Sequence, residues 1–137
     1  MTKHWITGVH HIALHPTTPE QFDKTLAFYC ETLGCETVRA WDTDGRRGAF
    51  LSAGNCILEV VLRDDGVQNY GALHHLALST EDLEALLPRL AAAGYAVTSG
   101  PRVGELPTNP PFRAFVAFCN GPCGETIEFF QELGEAN

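Results

Sequence analysis

Basic residues are scarce in this chain. Nine Lys and Arg stand against 17 Asp and Glu, which leaves a formal charge of −8. Phosphate backbones are held by clustered cations, and the nearest approach to a cluster is Arg46-Arg47. No nucleic-acid partner is therefore expected. No apolar run approaches the roughly 18 residues that cross a bilayer, so no membrane partner is expected either. The first residues, Met1-Thr-Lys-His-Trp5, lack the apolar core of a secretory signal, and a cytoplasmic location is the expectation. Cysteine offers no framework. Cys30, Cys35, Cys56, Cys119 and Cys123 are odd in number and contain no CxxC pair, which suits small, partly buried thiols rather than a redox pair or zinc site.

The remaining composition is ordinary for a folded protein. The 45% hydrophobic and 19% charged fractions exclude wholesale disorder. A length of 137 residues gives room for one compact domain, or two very small subdomains that share a core.

The chain repeats itself. Val9-His-His-Ile-Ala-Leu14 returns as Leu73-His-His-Leu-Ala-Leu78, with His75 standing 64 residues after His11. The segments after each copy also match. A helical stretch ends in Leu33-Gly34 in the first half and in Ala93-Gly94 in the second. A later strand then carries a lone acid, Glu59 in Ile57–Val61 and Glu128 in Thr126–Phe130. Three matched features in one order point to duplication.

Local signals agree. Thr18-Pro19-Glu-Gln21 is a helix start, with Thr at the N-cap, Pro in the first turn and Gln three residues on. Phe22, Leu26, Tyr29 or Cys30, and Leu33 recur at helical spacing, and Gly34 is a natural stop. In the second half Thr80 is expected to cap, Leu83, Leu86, Leu87 and Leu90 form the stripe, and Gly94 ends it. Pro88 predicts a kink or an irregular first turn. Glu36–Asp42 and Gly48–Ala53 flank a Thr43–Arg46 turn as a hairpin, and Cys56–Leu62 comes next. Each half thus has the order β-α-β-β-β, and the fold class is α+β. The whole chain is expected to be one domain, with module 1 over about 8–63, a linker over 64–71 and module 2 over about 72–132. Ser99–Pro111, rich in proline and glycine, is expected to be a long loop.

Alternation along a strand separates the histidines. His11, Ala13 and His15 share one face, opposite His10, Ile12 and Leu14; His75, Ala77 and Ser79 share a face opposite His74, Leu76 and Leu78. The aliphatic face covers the helix, so His11 and His75 should line a cavity, with His4 and His10 structural or exposed. Glu59 and Glu128 each sit in a short apolar strand, where a carboxylate is costly unless solvated, paired or bound to a metal. Lys and Arg do not recur as partners at matched positions, whereas two imidazoles and two carboxylates do. His11, Glu59, His75 and Glu128 suit one divalent ion, Ni²⁺ or Zn²⁺ first, with Co²⁺, Mn²⁺ or Fe²⁺ also compatible. His15, Arg63 and Arg113 are candidate substrate contacts.

The sequence resembles the vicinal oxygen chelate superfamily, which includes glyoxalase I. The resemblance runs over about Gly8–Glu132. Its markers are His10-His11-Ile-Ala-Leu, Leu26-Ala-Phe-Tyr29 with Leu33-Gly34, His74-His75-Leu-Ala-Leu, and Gly121-Pro-Cys-Gly-Glu-Thr-Ile-Glu128-Phe-Phe-Gln131. In the last run Cys123 replaces the usual acid. The resemblance implies two tandem βαβββ modules forming a curled, open mixed sheet around a metal cavity, and a homodimer. It also implies a small-molecule substrate with two neighbouring oxygens. An acid at position 59 is most like glyoxalase I. The implied activity is that of a lactoylglutathione lyase-like lyase or isomerase, working by proton transfer beside a carbonyl through a metal-bound enediolate. Glu128, or else Glu59, would be the base. Glyoxalase I usually carries Arg four residues after its first ligand and Asn four after its second. Here those places hold His15 and Arg63, so weak or no use of glutathione is implied. The rivals are an epimerase, a ring-cleaving dioxygenase of the same superfamily, and a metal-free binding protein of the antibiotic-resistance type.

Overall fold

The computed structural model describes residues 10–43, 46–63, 75–106 and 110–135. Asp44 and Gly45 of the expected turn, the linker 64–71, His4 and His74 lie outside them. The chain divides into two compact units, 1–68 and 69–137, and each repeats one plan.

In the first unit β1 (His11–Leu14) leads into α1 (Pro19–Leu26), which continues as a π-helical turn over Ala27–Thr32. Then come β2 (Glu36–Thr43), β3 (Arg46–Ser52) and β4 (Ile57–Val61). The sheet order is β1-β4-β3-β2, with β1 parallel to β4 and the other pairs antiparallel. The second unit has β5 (Leu76–Ser79), α2 (Leu83–Ala92), β6 (Ser99–Leu106), β7 (Phe112–Asn120) and β8 (Thr126–Glu135). Its order is β5-β8-β7-β6, again with only the first pair parallel. The fold is α+β, two four-stranded mixed sheets with helices, as the repeated pattern predicts.

The start of α1 matches its sequence signals: the Thr18 hydroxyl accepts from the Gln21 N–H at 3.1 Å, and the Gln21 side chain accepts from the Thr17 N–H at 2.7 Å. Its end does not. The spacing predicts an α-helix through to Leu33, but the Leu33 N–H reaches back five residues to the Phe28 carbonyl at 3.1 Å. The wider turn lets two consecutive aromatics, Phe28 and Tyr29, both enter the core, where they are 1% and 0% exposed. Phe22, Leu51, Leu58 and Val60 complete that core, and Gly34 stops the helix at φ +82°.

Two expectations for the second unit need correction. Asp82, not Thr80, is the N-cap of α2: its carboxylate accepts from the Ala85 N–H at 3.1 Å. Thr80 instead accepts from the Asp82 N–H, and Gln131 on β8 accepts from the Leu83 N–H at 2.9 Å. The helix runs from Leu83 through Pro88 to Ala92, with Leu83 and Leu90, one on each side of the proline, both fully buried. Finally, the expected loop 99–111 is for most of its length an edge strand, paired with β7 from Ser99 to Leu106. Proline is tolerated at a sheet edge and at register shifts, and the ladder shifts between Ser99 and Arg102, where Pro101 lies.

This packing has two measurable consequences. Asp82→Ala removes the cap and should lower stability by about 1 kcal/mol in urea unfolding. Burial, and secondarily the Glu125 carboxylate, push the Cys119 thiol up to about 11. A thiol neutral in the fold and ionised in the unfolded chain contributes stability below pH 9 that is lost as pH rises towards 11. Urea midpoints should fall over that window, and less so in Cys119→Ala.

Candidate metal centre

The parallel pairing positions the predicted residues. Ala13 lies opposite Glu59 in the β1–β4 register, and Ala77 lies opposite Glu128 in the β5–β8 register. The preceding residue on the same face is His11 in one case and His75 in the other. Each imidazole therefore sits diagonally across from its carboxylate on one face, and the small alanine between them leaves room to converge. His11 Nε2 stands 3.9 Å from Glu59 Oε2, and His75 Nε2 stands 3.3 Å from Glu128 Oε1. The carboxylates are largely withdrawn from water, at 24% and 15% side-chain exposure.

Exposure alternates along both strands, and His11 and His75 lie on the exposed side. On β1 Leu14 is buried while Ala13 and, just beyond the strand, His15 are exposed; on β5 Ala77 and Ser79 are exposed between the half-buried Leu76 and Leu78. His15 and Arg63 stand at the same end of the first sheet, where the Arg63 N–H donates to the Pro16 carbonyl at 2.8 Å. Arg113 is exposed near the other end of β7 from Phe118, the residue opposite Glu128, and alternation puts it on the opposite face.

Sequence reasoning missed three neighbours. Phe50 and Phe118 are the register partners of Glu59 and Glu128 on the adjacent antiparallel strands. Their rings lie 6.0 Å from His11 and His75 respectively. The signal was there: Phe50 stands nine residues before Glu59, and Phe118 ten before Glu128. The third is His10, whose Nδ1 is 2.9 Å from His11 Nδ1. That contact occupies the ring nitrogen remote from Glu59. In unit 1 Trp41 also packs edge-on to Phe50 at 5.6 Å, over Gly48, where a Cβ would collide with the indole.

Two donors, each about 2.1 Å from one ion, stand roughly 3.0–3.4 Å apart in octahedral or tetrahedral coordination. The His75–Glu128 pair meets that spacing and the His11–Glu59 pair is somewhat wider. Each pair is an N,O donor set fit for a borderline divalent ion. Among the described residues no group of three or more His, Cys, Asp or Glu is gathered at metal-binding range, and no helix is long and apolar enough to cross a membrane.

Comparison with known proteins places these pairs in context. The family model for the Glyoxalase/Bleomycin resistance protein/Dioxygenase superfamily matches residues 8–129. Lactoylglutathione lyase GLX1 of Arabidopsis thaliana is 31% identical over 120 residues, covering 80% of this chain. The chain spans only 40% of that relative's length. A glyoxalase family protein from Enterococcus faecalis shares the fold at a TM-score of 0.71, with 22% identity over 93% of this chain and 99% of the other. TnmS3, an antibiotic binding protein from Streptomyces sp. CB03234, has a TM-score of 0.68 and 25% identity over 95% and 99%.

Proposed function

Since the chain belongs to the glyoxalase/bleomycin resistance protein/dioxygenase superfamily, we propose that it is a metal-dependent, glyoxalase I-like lyase or isomerase acting on a small molecule with adjacent oxygens. One observation carries the reading: the same His–Glu pair recurs at the same register in both units. His11, Glu59, His75 and Glu128 would hold one divalent ion, Ni²⁺ or Zn²⁺ by donor type, with Co²⁺, Mn²⁺ or Fe²⁺ also compatible. When bound, such an ion supplies Lewis-acid stabilisation of negative charge on the substrate's two oxygens.

The protein's own residues do the rest. Glu128 is the proposed base, taking the proton from the carbon beside the carbonyl and returning it to the neighbouring carbon. Its 15% exposure limits competition from water for that proton. Phe50 and Phe118 back the two imidazoles with apolar surface, which keeps the local dielectric low and the electrostatics strong. His10, through His11 Nδ1, steadies that ring with Nε2 towards Glu59.

A second reading is metal-free binding of a flat ligand. It is favoured by the aromatic shelf of Trp41, Phe50 and His11 and by the likeness to TnmS3. Metal content separates the two. Purified protein should carry about one divalent ion per chain by mass spectrometry, and His75→Ala should lose most of it while keeping its circular dichroism spectrum. Full retention by that variant would sink the ligand assignment. Glu128→Gln should slow solvent-deuterium exchange into a turned-over substrate by roughly 10²- to 10⁴-fold. The methylglyoxal–glutathione adduct should be a poor substrate, because His15 and Arg63 occupy the positions that hold glutathione in glyoxalase I; efficient turnover would refute that reading of the two residues.

Homodimer assembly belongs to the same proposal. The edge strands β2 and β6 carry the exposed Val38 and Val103, at 51% and 57%, and edges of this kind call for cover. Light scattering at micromolar concentration should give twice the chain mass of 14.9 kDa.

A further inference from the structure

Arg102 has no part in the chemistry above, yet it stands beside it. It lies on the edge strand β6, with Val116 as its register partner. Its guanidinium carbon is 5.9 Å from the centre of the Phe118 ring. Phe118 is the residue opposite Glu128, and its ring lies 6.0 Å from that of His75. One aromatic ring thus has the candidate ligand His75 and a cation both within contact range, on the face that carries Glu128.

The surroundings of this cation distinguish it from a surface arginine tied into an ion pair. Arg47 shows the tied case: it stacks on Phe22 at 4.4 Å and is paired with Asp23 at 2.9 Å. Among the described residues no carboxylate lies within ion-pair distance of Arg102, in a chain whose net charge is −8. The Ser99 hydroxyl accepts one hydrogen bond from Arg102 Nη1 at 2.9 Å. That contact and the Phe118 ring orient the side chain, and among the described residues most of its five N–H donors have no other partner. A planar donor fork held this way matches a carboxylate.

We infer that Arg102 is a specificity-determining residue that binds a carboxylate on the substrate, set apart from the chelating oxygens by a span that reaches past Phe118. The inference rests on the proposed metal reading and adds a substrate class to it: an acid whose carboxylate is remote from its two adjacent oxygens. Phe118 then serves two ends, backing His75 on one side and carrying the cation on the other.

A matched pair of probes tests this. Benzohydroxamate presents two adjacent oxygens and a ring; 4-carboxybenzohydroxamate adds a carboxylate across the ring. With Zn²⁺-loaded full-length protein, calorimetry should show the carboxylated probe binding roughly three- to tenfold tighter, with the preference shrinking as salt is raised. Arg102→Gln should abolish the preference while leaving zinc content and benzohydroxamate affinity unchanged. Arg102→Lys should keep part of it. If wild type binds both probes equally, or if Arg102→Gln keeps the preference, the role of Arg102 is overturned and the metal reading stands. If the protein takes up no zinc and binds neither probe, the metal reading fails and this inference fails with it.

Discussion

Everything at the candidate centre depends on the parallel pairing between the first and last strand of each unit. A parallel pair cannot be closed by a tight turn and needs a long crossover. Here the crossover is the helix plus two further strands, so the βαβββ unit is the connection that lays its last strand beside its first. The register of that pair then decides the chemistry. Ala13 faces Glu59 and Ala77 faces Glu128. A slip of one residue would turn each carboxylate towards the helix-covered face, among Leu14, Leu58 and Val60 in unit 1 or Ile127 and Phe129 in unit 2. That cost is what keeps the register. The apolar face fixes the strands, and the polar pair on the opposite face is positioned as a result.

The alanine between histidine and glutamate is as much part of the arrangement as the two functional groups. Diagonal neighbours on adjacent strands are farther apart than direct partners, and they converge only where the intervening side chain is small. The phenylalanine on the third strand closes the other side. Phe50 and Phe118 take up the space next to each carboxylate and contact each imidazole, so the donors lean towards each other within an apolar surround.

Much of this was legible in the sequence, for a stated reason: duplication supplies an internal control. A lone histidine on a strand says little, but His11 and His75 preceding matched alanines, each with a later strand that bears a single acid, define faces by alternation and mark the four residues as a set. In the structure each histidine shares a face with one glutamate of its own unit, His11 with Glu59 and His75 with Glu128. The features that the sequence concealed depend on tertiary packing. The π-helical turn at Ala27–Thr32 arises because two adjacent aromatics share one core. Ser99–Leu106 looks like a loop because Gly100, Pro101 and Gly104 weaken the strand signal, and only pairing with β7 makes it an edge strand. Arg102 was invisible for the same reason, since a residue in a loop has no assignable face. Thr80 and Asp82 compete as caps by composition, and the distance to the Ala85 N–H decides between them.

The two units share a skeleton and differ in their surroundings. Unit 1 sets an indole beside its phenylalanine, with glycine at position 48 making the room, and its imidazole is engaged from behind by His10. Unit 2 has the tighter pair, the more buried carboxylate and a guanidinium on its phenylalanine. A repeated frame would otherwise offer the same environment in each unit. The differences break that equivalence at the third and fourth strands, while the parallel pair that carries the donors is preserved. Under the proposed function, substrate selection is therefore to be sought on β2, β3, β6 and β7, where side chains can change without disturbing the register on which the donors depend.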